Sequence, residues 1–299
     1  GSVPAMASVT ESSLNLFTRI PAKQPTLNSE DQSALRFAGG AALSEDVSFE
    51  VYSSKRISYW RTRRYDIYHS WGWTNAATTE ESLKKGEKPK GVGEEETQIT
   101  YTVVTKVKTD LVLTTGELLN ADMPVSLRRA SPGLGLGDTL SVTAPQLLNY
   151  DDKYTVTASL NPVTRVELSQ AGDKYPQAIA ERYLSLPGDL PRRVRQLSYS
   201  VTSEASTPYE KVEAVLKYLS RLSYLKEGTA PPPGFDGVSH FLFVAKEGNC
   251  TNFASAAVVI LRSVGVPARF VAGYLAGDWD ESNKMSIIRG EDYHAWSEV

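Results

Sequence analysis

The chain has 299 residues, 41% of them hydrophobic and 22% charged, which excludes an intrinsically disordered polymer and suggests two domains at roughly 150 residues each. Lysine and arginine total 32 against 35 acids, a formal charge of −3. Nucleic acid is therefore not expected as a partner, because a phosphate-reading surface needs a basic excess. The lone cysteine, Cys250, excludes an internal disulfide and a zinc site built on several thiolates. The longest strongly apolar stretch, Phe253 to Leu261, is about half the length a membrane-spanning helix needs. The first residues lack a charged region followed by an apolar one, so no signal peptide is expected, and Gly1-Ser2 reads as a cleavage scar.

Residues 1 to 33, rich in Ser, Thr, Pro and Ala, read as a loose lead-in. From residue 34 to 165 short runs alternate apolar and polar: Val47, Phe49, Val51; Ile99, Tyr101, Val103; Val107, Leu111, Leu113; Leu140, Val142; Tyr154, Val156, Ala158. Such runs separated by turn residues predict an antiparallel β domain. Within it Glu80 to Glu96, with Gly86, Gly91 and Gly93, reads as an exposed loop. Gly133, Gly135 and Gly137 are spaced like part of a nucleotide fingerprint, but Asp138-Thr139-Leu140 leads into a strand, so no phosphate site is expected.

After Gly172 the period becomes helical, which places a boundary near residue 165 and a second domain over 166–299. Helices are predicted over Tyr175 to Leu184 and Pro208 to Tyr224, the second capped by Thr207 with Pro208 at the first position and Glu210 completing a capping box. A proline run, Pro231 to Pro233, leads to Asp236 or Ser239 and a short apolar segment, Phe241-Leu242-Phe243-Val244. Asn249 then caps a helix from Cys250 to Val264, stopped by Gly265 and Pro267. Cys250 falls in its first turn, where the dipole and free N–H groups favour a thiolate and predict a pKa below the usual 8.5 or so. Phe253, Ala257, Ile260 and Val264 follow on the same stripe.

Ala268 to Leu275 alternates as a strand, Gly277 to Lys284 reads as a polar hairpin loop, and a further strand begins near Met285. His294-Ala295-Trp296-Ser297-Glu298-Val299 reads as a strand with His294, Trp296 and Glu298 on one face. A thiol at a helix start followed by a histidine on a packed strand suits acyl transfer: the imidazole takes the thiol proton and returns it to the leaving amine.

The segments Gly248-Asn249-Cys250-Thr251-Asn252-Phe253-Ala254, Leu261-Arg262-Ser263-Val264-Gly265-Val266-Pro267-Ala268-Arg269, Gly273-Tyr274 and His294-Ala295-Trp296-Ser297-Glu298-Val299, in that order, resemble the transglutaminase-like superfamily core. They are more similar still to its bacterial membrane-anchored branch with an extracytoplasmic catalytic domain. Asp236, Phe241-Leu242-Phe243, Tyr59-Trp60-Arg61, Tyr65-Asp66, Tyr68 and Gly72-Trp73 fit that branch as well. The resemblance implies an α+β protein, an N-terminal antiparallel β domain followed by a papain-like core whose Cys-bearing helix packs on a His-bearing antiparallel sheet. It implies Cys250 as nucleophile and His294 as general base and acid, with no metal or cofactor, a protein or peptide substrate, and a membrane tether only through segments outside these residues. The backbone N–H of Cys250 would serve the oxyanion hole.

The family's acid belongs on a strand beyond His294-Ala295-Trp296, so the third triad member is not expected within residues 1–299. Glu298 shares the His294 face but lies four residues along, about 13 Å away in a strand, and Asp292 is a same-strand neighbour badly placed to reach a ring nitrogen. His240 is the rival base. His69, among Tyr68, Trp71 and Trp73, reads as part of an aromatic cluster. Asp278, Asp280, Ser282 and Asn283 lack the glycine and glutamate of a calcium loop and read as a hairpin turn. Asn249-Cys250-Thr251 fits a glycosylation acceptor only formally, since a glycan there would block the nucleophile. The competing class is a non-catalytic module that keeps the fold as a scaffold or peptide-binding element.

Overall fold

The computed structural model describes residues 26–27, 33–38, 43–90, 97–131, 138–160 and 163–299. Most of the predicted lead-in, together with Gly91, Gly93 and the Gly133-Gly135-Gly137 series, lies outside the described residues. The protein is α+β. Its strands in chain order are β1 (Thr26–Leu27), β2 (Leu35–Arg36), β3 (Val47–Ser53), β4 (Tyr59–Tyr65), β5 (Ile67–His69), β6 (Gly72–Thr74), β7 (Thr78–Leu83), β8 (Gln98–Thr105), β9 (Lys108–Leu111) and β10 (Glu117–Ala121). There follow β11 (Val125–Ala130), β12 (Thr139–Leu148), β13 (Lys153–Ser159), β14 (Ser223–Tyr224), β15 (Glu247–Gly248), β16 (Arg269–Leu275), β17 (Asp278–Asp280), β18 (Met285–Arg289) and β19 (Tyr293–Glu298). The helices are α1 (Arg165–Gln170), α2 (Gln177–Tyr183), α3 (Arg192–Val201), α4 (Pro208–Leu219), α5 (Gly237–His240) and α6 (Cys250–Ser263).

Two sheets carry the molecule. The larger runs β1-β9-β12-β4-β16-β19, with β11 and β7 continuing from β12, and the other runs β10-β13-β8-β3-β18-β17. Texture changes near residue 165, where strands give way to helices, yet the sheets do not divide there. β4 is hydrogen-bonded along its length to β16, and β3 to β18. Each sheet thus contains strands from both halves of the chain.

Two apolar clusters fill the interior. One gathers α6 with Phe270, Ala272 and Ala295 from the larger sheet and Val194, Val215 and Leu219 from α3 and α4. The other lies between the sheets around Phe49, Trp60, Tyr101, Tyr154 and Tyr274. α6 is buried on nearly every face from Ala254 to Arg262, so its core contact is far wider than the single stripe through Phe253 and Ala257. A helix covered all round needs an apolar sequence throughout, and the alanines at 254, 256 and 257 also let neighbours approach closely.

Several boundaries differ from the sequence reading for identifiable reasons. Glu80 to Leu83 belong to β7, paired with β11, so the charged loop begins at Lys84. Glu80 and Glu81, on opposite faces of the strand, pair with Arg128 and Arg129 of β11, and their charge disguises a strand as a loop. Helix starts earlier than Gly172: Thr164 caps α1 with Glu167 closing a capping box. α3 was not predicted at all, because its arginines at 192, 193 and 195 mask a narrow buried stripe of Val194 and Ser198. α4 stops at Leu219, and Ser223–Tyr224 becomes a short strand paired with Glu247–Gly248. Finally, β18 is no hairpin partner of β16. It pairs with β17 and β3, because the chain changes sheets at Gly277, whose φ of +65° and missing Cβ let it pass 2.1 Å (from an ideal Cβ) beside the Ile287 carbonyl oxygen.

Candidate active site

Asn249 caps α6 as predicted. Its side chain accepts from the backbone N–H groups of Thr251 and Asn252, and the Asn252 side chain returns the bond to the Asn249 N–H at 3.1 Å. Asn252 also holds Thr229 through both its amide atoms, fastening the segment before the proline run beside the helix start. Gly248 has no space for a side chain, since a Cβ there would lie 2.6 Å from Asn252 Oδ1. The motif around the cysteine is therefore a tightly closed cap, and it sets Cys250 half-buried at the first helical position.

The thiol faces the end of the larger sheet. The backbone N–H groups of Ala295 and Thr251, and the hydroxyls of Thr251 and Tyr224, lie where they favour the thiolate. Burial nevertheless dominates and pushes the thiol above its ordinary value. The expectation of a depressed pKa is thus corrected: desolvation outweighs the donors gathered at the helix start. His294 moves the other way, its imidazolium disfavoured by desolvation so that its pKa falls below 6.5. Both shifts favour the uncharged forms, a thiol and an imidazole able to accept a proton.

β19 ends the sheet, antiparallel to β16, with His294 opposite Gly273 and Ala295 opposite Ala272. Ala295 and Ala272 face α6, so strand alternation puts His294, Trp296 and Glu298 on the other face. Cys250 meets the edge of β19 from the helix side at Ala295, one residue beyond His294. Gly273 is obligatory in this arrangement. A Cβ there would stand 2.0 Å from the Trp60 carbonyl oxygen and 3.0 Å from the Trp296 ring.

The remaining acids near His294 are engaged elsewhere. Glu298 accepts from Arg64 and Arg269, each at 2.8 Å, and lies 3.6 Å from Arg61. These guanidiniums hold its carboxyl far below the usual carboxylate range despite burial. Asp292 accepts the Arg289 backbone N–H at 2.7 Å. His240 lies at the end of α5, which Asp236 caps through the Ser239 N–H while also accepting the Tyr68 hydroxyl. His69 stacks on Trp71 at 4.7 Å and meets Thr74, a structural aromatic cluster. Asp280 accepts from Ser282 and Asn283, closing a hairpin turn. Among the described residues, no three His, Cys, Asp or Glu side chains group as a metal site, and no helix is long and apolar enough to cross a membrane.

Two residues of this region carried no role in the sequence reading. Tyr224 presents its hydroxyl to both the Cys250 backbone N–H and the thiol, although it lies 26 residues upstream with no periodic signal to mark it. Arg262, inside the Gly-Val-Pro approach, is buried among carbonyls of Ala268, Asp66 and Ser185 at 2.7 to 2.8 Å. It ties the exit of α6 to the turn after β4 and to α2. Desolvation there lowers its pKa to about 10, leaving it cationic at neutral pH.

A capped helix offering a thiol to the edge of a His-bearing antiparallel sheet defines a papain-like arrangement, and sequence comparison agrees. Residues 195–299 match the model of the Transglutaminase-like superfamily, so this part of the chain carries that superfamily's core. The chain is 29% identical over 283 residues to the uncharacterized protein YebA of Bacillus subtilis, covering 87% of this chain and 38% of YebA. It is 32% identical over 133 residues to a protein-glutamine gamma-glutamyltransferase of Pseudomonas aeruginosa, over 42% of this chain and 20% of that protein. The chain thus spans well under half the length of these relatives. The fold is similar to the crystal structure of the periplasmic domain of TgpA from Pseudomonas aeruginosa, with a TM-score of 0.63 at 21% identity over 87% of this chain and 89% of that one.

Proposed function

We propose that the protein is a thiol-dependent acyltransferase acting on glutamine side chains or on peptide amides. The observation that carries this reading is the seating of the Cys250 thiol at the Ala295 N–H, the residue next to His294 in β19. Neutral His294 removes the thiol proton as sulfur attacks the carbonyl carbon. The Cys250 N–H stabilises the tetrahedral oxyanion, taking it as acceptor in place of the Tyr224 oxygen. The imidazolium gives its proton to the leaving nitrogen, the C–N bond breaks, and a thioester remains. A primary amine or water then attacks the thioester, His294 accepting its proton, and the thiol is restored. Transfer to an amine makes a crosslink and transfer to water a hydrolase.

The superfamily match and the glutamyltransferase relative support this chemistry. The similarity to a periplasmic domain supports an extracytoplasmic setting, and a membrane tether through segments outside these residues belongs to the same proposal. Incorporation of a fluorescent primary amine into a glutamine-containing protein tests the reaction. Covalent labelling that disappears in Cys250→Ala is expected. Labelling and amide hydrolysis both absent in the wild-type chain, at any acyl-donor concentration, would place it among non-catalytic modules of this fold.

A further inference from the structure

With Glu298 held by arginines and Asp292 spent on a backbone N–H, the groups shown against the His294 ring are aromatic. The Tyr59 and Trp296 rings lie near-parallel to it, at interplanar angles of 25° and 18° with centroids 6.4 Å away in each case. Their own centroids are 5.0 Å apart. The three rings form a closed triangle within the range of favourable aromatic contact. Trp296 belongs to the same strand as His294. Tyr59 comes from β4, two strands away, about 10 Å at ordinary strand spacing. Tyr59 stands opposite Leu275 and so reaches the ring diagonally, past Gly273, which pairs with His294 and Arg61 and has no side chain to fill that face. Tyr59 is also 46% exposed, so its ring is not kept for the core and lies at the surface by the imidazole and the tryptophan.

We infer that Tyr59, supplied by the N-terminal half of the chain, is a positioning residue for His294, holding the imidazole plane against rotation as the ring reaches the Cys250 edge. The inference rests on the reading of His294 as the base. It gives the N-terminal strands a part in the chemistry: without β4, the ring would keep only Trp296 beside it. The effect comes from the ring and not from the hydroxyl, so phenylalanine should replace tyrosine.

The test uses the 299-residue chain and its Tyr59→Ala, Tyr59→Phe and His294→Ala variants. Two quantities are read: the rate of Cys250 alkylation by iodoacetamide at neutral pH, and the imidazole C–H resonances of the three histidines by NMR. Misplacing a proton acceptor by an ångström or so costs one to two orders of magnitude. Tyr59→Ala should therefore slow alkylation about tenfold or more and move only the His294 resonances, as their ring-current shift is lost. Tyr59→Phe should match wild type in both. An unchanged alkylation rate in Tyr59→Ala, or a Tyr59→Phe as impaired as Tyr59→Ala, overturns the inference. His294→Ala separates the two claims: if it slows alkylation while Tyr59→Ala does not, the base assignment stands and the positioning role fails. If His294→Ala has no effect, both fail together.

Discussion

Glu298 shows how one side chain can share a motif, a strand and a face with the proposed base, His294, and still serve another end. Its carboxylate is surrounded by Arg61, Arg64 and Arg269, and Arg269 in turn pairs with Asp138 beside Tyr183. Replacing one member of such a buried set strands the others, at a cost of about 3 kcal/mol. Glu298→Gln should lower stability by roughly that amount in urea titrations, with little change in slope. The sign with pH follows from its depressed carboxyl. The folded state binds the proton more weakly than the unfolded state, so the stabilisation is complete above the ordinary carboxylate value and is lost as pH falls below it. The gap between wild type and Glu298→Gln should therefore be constant near neutrality and narrow in acid; a gap independent of pH would show that the carboxylate charge is not what the arginines hold. The sequence excluded Glu298 as the triad acid on distance alone. It could not reveal the arginines, because they come from β4 and β16, about 30 to 240 residues away.

At the scale of elements, α6 is the part most fully legible in the sequence. Asn249 before it, Gly265 and Pro267 after it, and an apolar run between are local signals, and local signals survive without tertiary knowledge. The electrostatics at its start were not legible in the same way. A helix N-terminus favours thiolate, but the Cys250 sulfur is buried, and burial depends on Ala295 and Tyr224 arriving from elsewhere. The cap joins stability to the site. Asn249→Ala removes the acceptor for two backbone N–H groups and should cost about 1 kcal/mol. It also loosens the hold on Asn252 and so on Thr229. Thermal melts should show the loss, and Cys250 alkylation should slow beyond what the unfolded fraction explains. A stable variant with an unaltered alkylation rate would mean that the cap does not set the thiol's position.

The whole molecule is joined differently from what the texture of its sequence suggests. Composition changes near residue 165, but β16 and β18 find their partners in β4 and β3, and no run of residues announces a partner 200 positions away. A fragment of residues 166–299 would leave β16 and β18 with open edges and α6 with part of its cover missing. We expect it to lack a cooperative thermal transition and to aggregate; a sharp transition matching the full chain would show that the C-terminal part folds alone. The joint also ties the proposed site to both halves, since the strand that carries His294 is backed by β16, which is backed in turn by β4. The central claim is that Cys250 and His294 act as one unit at the end of this sheet. Its most direct test is the pH dependence of iodoacetamide alkylation at Cys250 in the wild-type chain and in His294→Ala. Because desolvation lowers the imidazole pKa below 6.5, the base form persists into mild acid, and wild-type alkylation should hold through neutrality and fall only below that value. His294→Ala should lose this limb and react solely as a buried thiol, rising above the ordinary thiol range. Identical profiles for the two proteins would contradict the account.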